Sequence, residues 1–180
     1  MSSRTRQRAP GALSRSLAAV ASTIRVVDYD ERYRDDFARL NIDWLERWFT
    51  VEPVDIEVLH QPEIHILASG GQIFFALDSD GNAIGTVALR HEGAGIYELT
   101  KMAVNPSQRG AGVGRLLMNT VLEAFQRLGG TELYLESNTR LGPALALYES
   151  VGFIRQHGLR PGSVYGRADV YMIWNQLPPN

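Results

Sequence analysis

The sequence predicts one α/β domain built on a mixed sheet, and three observations carry that prediction. β-rich runs alternate with helical stretches from residue 23 onward. An Asp-Gly turn joins two of the runs into an antiparallel hairpin. Neither an internal repeat nor an internal linker divides the chain, and its 180 residues are enough to bury about two-thirds of the extended surface.

The elements follow in order. Residues 23–29 (TIRVVDY) form a first strand with Ile24, Val26 and Val27 apolar. Asp30 supplies a helix cap; the helix runs through Phe37, Leu40 and Ile42, then continues or breaks near Asp43 and resumes through Trp44, Leu45 and Trp48. Residues 51–68 read as a short helical stretch broken by Pro53 and Pro62. Residues 72–77 and 83–89 are strands joined by a turn holding Asp80-Gly81. Residues 96–104 are the next strand, stopped by Asn105-Pro106. A glycine-rich turn from Arg109 to Gly114 then opens the clearest helix. Its Val113, Leu116, Leu117, Val121, Ala124, Phe125 and Leu128 recur at helical spacing, and Gly129-Gly130 ends it. Residues 131–136 are a strand, and residues 141–151 a helix with Leu141, Ala144, Leu145 and Tyr148 on one stripe. Residues 153–155 and 170–174 are the last strands, joined by a loop holding Gly158, Pro161, Gly162 and Gly166.

Composition narrows the function. Hydrophobic residues at 44% and charged residues at 21% exclude a disordered or fibrous chain. No apolar run approaches the length of a membrane span, so no membrane partner is expected. A net charge of −2 lacks the basic footprint of a nucleic-acid binder. The chain has no cysteine, which removes disulfides, thiolate metal sites and a cysteine nucleophile. Its four histidines (60, 65, 91 and 157) show no ligand spacing, so no metal is expected. Charge is uneven: residues 1–25 hold five arginines and no acid, whereas residues 28–57 hold ten acids against four arginines. The Ser/Arg-rich start has the composition of a transit peptide, and its apolar part is too short for a secretory signal. We read residues 1–22 as a flexible extension of a cytoplasmic domain spanning 23–180.

The glycine loop is an anion site by its physics. A strand, a turn of small residues and a helix start leave unpaired N–H groups at the positive end of a helix dipole. Gly110, Gly112 and Gly114 keep side chains away from a phosphate, and Arg109 and Arg115 add charged donors. A P-loop requires Gly-Lys-Ser/Thr at its end, which is missing. The dinucleotide fingerprint G-x-G-x-x-G sits tight against its strand, whereas here the spacing is G-x-G-x-G and Asn105 to Arg109 intervene.

The segment Arg109-x-x-Gly112-x-Gly114 resembles the acyl-CoA pyrophosphate loop of the GCN5-related N-acetyltransferase (GNAT) family. Its context does so too: a strand ending Lys101-Met-Ala-Val104, then Asn105-Pro106, the loop and an amphipathic helix. A second signature, Ala146-Leu-Tyr148-Glu-Ser-Val-Gly152-Phe153, is similar to the end of that family's fourth helix. The resemblance covers roughly residues 24–175, with its specific motifs within 97–153. One position departs: many members carry an asparagine seven residues before the tyrosine, where this chain has Leu141. Asn138 either substitutes for it or caps the following helix.

The resemblance implies a mixed, largely antiparallel central sheet flanked by helices on both faces. It implies acetyl-CoA as co-substrate. The bulged strand Met102, Ala103 and Val104 would meet the pantetheine arm and thioester, with Arg109, Gly110, Ala111, Gly112, Val113, Gly114 and Arg115 at the pyrophosphate. It makes Tyr148 the proton donor to the CoA thiolate, although a core tyrosine with a satisfied hydroxyl would occupy the same apolar stripe. It offers Glu98 and Glu136 as the general base. The structural alternatives are an edge carboxylate paired with Arg90 or Lys101 for Glu98, and a helix N-terminal charge for Glu136.

The expected reaction moves an acetyl group from acetyl-CoA to a primary amine by direct attack in a ternary complex, since no cysteine exists to form an acyl-enzyme. A small cationic amine or an amino acid is the favoured acceptor. Protein N-terminal or lysine acetylation, and a non-catalytic acyl-CoA sensor, are the alternatives. By resemblance the acceptor site lies in 30–65 and 157–169: either the acidic excess attracts a cationic amine to a pocket walled by Trp44, Trp48 and Phe49, or Arg160 and Arg167 instead read a substrate carboxylate, the structural alternative being a solvated acidic helix face with core tryptophans. The family's habit is a homodimer through the C-terminal strands.

Overall fold

The computed structural model describes residues 24–175, and the extension read into residues 1–22 lies outside the described residues. Strand β1 (Arg25–Asp28) leads to α1 (Arg34–Trp48) and α2 (Pro53–His60). Strands β2 (Gln72–Leu77), β3 (Ala83–Gly93) and β4 (Ile96–Val104) precede α3 (Val113–Arg127). Then come β5 (Glu132–Ser137), α4 (Gly142–Ser150), β6 (Phe153–Arg155) and β7 (Val170–Trp174).

Local chemistry explains most boundaries. Asp30 accepts from the Arg32 N–H, but the turn it caps is a 3-10 turn, Glu31–Tyr33, and the α-helix proper starts at Arg34. That helix runs through Asp43 without a break. Pro53 does not interrupt a helix as the sequence suggested. It is the first residue of α2, where a fixed φ and a missing N–H carry no penalty, and Asp55 accepts from the Glu52 N–H behind it. Pro62 likewise precedes a π-helical turn, Glu63–Leu67. Strand β3 runs past residue 89 to Gly93 because β4 pairs with its extra length, Arg90 opposite Glu98 and His91 opposite Tyr97.

The strands form one sheet in the order β1-β2-β3-β4-β5-β7-β6. Every neighbouring pair is antiparallel except β4–β5, which are parallel and joined through α3. One face packs Leu117, Val121, Phe125 and Tyr148 of α3 and α4 on Phe74, Leu99 and Leu135. The other packs Phe37, Leu40 and Leu45 of α1 and Leu59 of α2 on Phe75 and Ala88. Helices therefore flank both faces, as the resemblance implies.

Two irregularities in β4 shape the site. Lys101 has φ 52°, and the register steps between Thr86–Ala103 and Ala88–Thr100. Lys101 and Met102 therefore oppose Val87 alone, which is a β-bulge. On its other edge β4 pairs with β5 only from Ile96 to Glu98, after which the two strands part.

Candidate active site

A cavity of about 550 Å³ fills the opening between β4 and β5. Leu99, Met102, Leu135 and Tyr148 wall it from the α3 face, and Glu98 and Glu136 from the α1 face, so it passes through the sheet. Of the candidate residues read from the sequence, all but Ala111 and Arg160 line it. Ala111 is exposed, and its N–H is spent on the Gln108 carbonyl.

At one end the loop meets α3. The first bond of this helix runs from Leu116 N–H to Gly112 O at 3.0 Å, so the N–H groups of Val113, Gly114 and Arg115 have no helical acceptor. These three residues line the cavity and fit an anionic diphosphate. Gly110 and Gly112 have φ 82° and 81°, and a Cβ there would touch nothing, so backbone conformation is what demands glycine. Gly114 serves packing instead: its Cβ would come within 3.2 Å of Leu147 and 3.4 Å of Met102, the route by which α3 approaches α4 and β4. Arg109 is exposed beside the loop, and Arg115 is anchored to Ser150 Oγ at 2.8 Å. Past Glu98 the β5-facing edge of β4 has no ladder partner, leaving its backbone groups over 99–104 to the cavity.

The acid and base candidates approach from opposite faces. Tyr148 is 9% exposed, with its ring edge-on to Phe153 at 6.1 Å. Among the described residues no group hydrogen-bonds its hydroxyl, and burial pushes the phenol up to about 12. Its ring thus packs in the core of the α3 face while it lines the cavity, and its hydroxyl stays neutral and without a hydrogen-bond partner among the described residues. Glu98 sits in the middle of the sheet, not at an edge, and is 1% exposed. Arg90 Nη2 lies 2.6 Å from its Oε2. Burial pushes the Glu98 carboxyl up to about 7; Arg90 and Lys101 pull it down while Glu136 and Glu92 push it further up. Glu136 stands on the same face of β5, and among the described residues its buried Oε1, like Glu98 Oε2, has no hydrogen-bond partner. It caps no helix, since α4 begins only at Gly142.

Asn138 lines the cavity and does not cap α4. The α4 N-cap position is Leu141. The Asn138 amide donates to the Arg167 carbonyl at 2.7 Å and its Oδ1 accepts from the Arg140 N–H at 2.9 Å, tying the late loop to the β5–α4 turn.

At the far end Trp44, Trp48 and Phe49, all half-buried, wall the cavity beside Tyr165. Beneath them lies an ion cluster that sequence reasoning missed. Fully buried Asp55 accepts from Lys101 Nζ at 2.8 Å and from both Nη atoms of Arg167 at 2.6 and 2.9 Å. Burial alone would push the Asp55 carboxyl up, but the bonds and charges of Arg167 and Lys101 outweigh it and hold it below its usual value. Arg167, expected to read a substrate carboxylate, is thus occupied internally. Arg160 lies 4.0 Å over the Tyr134 ring and has no carboxylate partner among the described residues.

This geometry can be set against known proteins. Residues 29–153 match the Acetyltransferase (GNAT) family. The chain belongs to that family. An uncharacterized N-acetyltransferase of Schizosaccharomyces pombe is 31% identical to this GNAT protein over 144 residues, 76% of this chain and 88% of the other. A GNAT acetyltransferase from Staphylococcus aureus Mu50 superposes with a TM-score of 0.78 at 20% identity, covering 85% of this chain and 99% of its own. The structure of yncA from Salmonella typhimurium with its cofactor acetyl-CoA superposes with a TM-score of 0.66 at 16% identity, covering 88% and 96%. As a GNAT protein, the chain is an acetyl-CoA-dependent N-acetyltransferase.

Proposed function

We propose that the protein acetylates a small primary amine, either a compact cationic amine or an amino acid, by direct attack on acetyl-CoA within one ternary complex. The observation that carries this is a single cavity reaching the unpaired N–H groups of α3, the Tyr148 hydroxyl and two carboxylates. The α3 N-terminus with Arg109 and Arg115 holds the diphosphate, and the free edge of β4 orients the thioester and polarises its carbonyl. Glu98, or Glu136, takes a proton from the ammonium through water so that the lone pair becomes available. Tyr148 gives its proton to the departing thiolate. The acceptor enters between Trp44, Trp48 and Phe49, whose ring faces suit a cation.

The test is thiol release from acetyl-CoA across polyamines, amino acids, aminoglycosides and short peptides; a chain without cysteine adds no thiol background. Release with one small-amine class is the expected result. Release with peptides alone would replace the acceptor by a protein amine. Silence across the panel, with CoA still raising the melting temperature, would make the protein an acyl-CoA sensor.

A further inference from the structure

Two carboxylates share the acceptor end of the cavity, and their neighbours differ. Glu98 lies directly opposite Arg90 in the β3–β4 ladder, a register set by the sheet rather than by a flexible side chain. The Arg90 side chain is 19% exposed and that of Glu98 2%, and they meet at 2.6 Å. The same guanidinium has its Nε 2.7 Å from Glu92 Oε1. Among the described residues Glu136 has no cation within ion-pair distance, although its Oε1 is buried. Two nearby carboxylates resist ionising together, and a cation held against one of them favours its charged form. A protonated carboxyl takes no proton from an amine. The cation opposite Glu98 therefore favours the form of Glu98 that can act as a base.

We propose that Arg90 is the positioning residue of this reaction: from the neighbouring strand its guanidinium holds Glu98 as a carboxylate facing the acceptor. This rests on the reading of Glu98 as base. The groups around Glu98 are few. Strand β3 brings Arg90 and Glu92, β4 brings Lys101, and β5 brings Glu136 and Tyr134. Asp55 of α2 pairs with Lys101, and from the late loop Arg160 covers the Tyr134 ring while Tyr165 lies near Arg90. Arg90 and Glu92 act on Glu98 with opposite sign, and that opposition supplies a test that mere structural support would fail.

The experiment is the pH dependence of kcat/KM for the best amine of the panel, measured by thiol release at saturating acetyl-CoA. The wild-type acid limb should have its midpoint near the Glu98 value, about 7. In Arg90→Met the limb should move alkaline by about one pH unit or more, which reads as at least about a fivefold loss at pH 7 and about a tenfold loss well below the midpoint. Arg90→Lys, which keeps the charge, should restore most of the position. Glu92→Gln should move the limb to the acid side. An unmoved limb in folded Arg90→Met, or equal displacement in the Met and Lys variants, overturns the proposal. If Arg90→Met does not fold, Glu92→Gln decides: an acid shift supports the proposal, and no shift or an alkaline one overturns it. Glu98→Gln separates the two layers of argument, since a limb that survives there removes Glu98 as the base and leaves the Arg90 inference without its premise.

Discussion

Tyr148→Phe is the substitution that separates a catalytic acid from a packing residue. The ring contact with Phe153 at 6.1 Å survives in phenylalanine, and the hydroxyl that is lost has no hydrogen-bond partner among the described residues. Folding therefore loses no bond, and stability should change by no more than about 0.5 kcal/mol. For a domain of this size that is about 1–2 °C in melting temperature. Catalysis should respond on another scale. Loss of a positioned general acid costs about 10²–10⁴-fold in rate, or roughly 3–5 kcal/mol of barrier. The assay pairs kcat from thiol release with thermal unfolding, each with and without CoA. The expected result is a large fall in kcat with an unchanged melting temperature and an unchanged CoA-induced rise. A melting temperature lowered by several degrees with kcat near wild type would refute the assignment and return Tyr148 to the core.

Asp55→Ala leaves Lys101, its side chain 4% exposed, without its ion-pair partner and leaves Arg167, 19% exposed, with only Glu52 at 3.5 Å. We expect a loss of about 3–5 kcal/mol in thermal or urea unfolding, partly recovered in Asp55→Ala/Lys101→Met; a loss below about 1 kcal/mol would show that water already solvates the cluster. The Glu98 carboxyl is raised from 4.5 in the unfolded chain to about 7, so its stabilising contribution is complete below the lower value and is lost as pH rises through the upper one. Glu98→Gln should therefore flatten the fall in melting temperature over that window, and an unaltered slope would contradict the burial argument.

Local signals made much of the fold legible. The stripe of α3, apart from the exposed Leu116 and Leu128, and the turn at Asp80-Gly81 depend on neighbours within a few residues, and Asp78 Oδ1 does accept the Asp80 and Asn82 N–H groups. Strand β4 occupies the residues read for it, because Asn105-Pro106 ends it. Long-range features were not legible. Asp55 meets Lys101 across 46 positions and Arg167 across 112, and no spacing rule links such residues. The acidic excess at 28–57 looked like a lure for a cationic substrate, yet its most buried member neutralises the protein's own cations. The tryptophans show a different limit. A core position and a cavity wall both select apolar side chains, so the pattern of α1 places Leu40 and Leu45 in the core and Trp44 and Trp48 at the wall without distinguishing them.

The placement of the site follows from one topological choice. A hairpin between β4 and β5 would continue the ladder and keep the sheet sealed. The parallel arrangement instead needs a crossover, and α3 supplies it. The carboxyl ends of both strands then point the same way, and the N-terminus of the crossover helix arrives where the strands part. Alternation along the strands does the rest. Side chains two apart share a face, so Glu98 and Thr100 look toward α1 while Leu99 looks toward α3 and α4. Tyr148, carried by α4 on that second face, would be screened from Glu98 by an intact ladder. Ending the β4–β5 pairing at Glu98 and bulging β4 at Lys101 opens the sheet between the proposed acid and the proposed base, so one gap reaches both side chains.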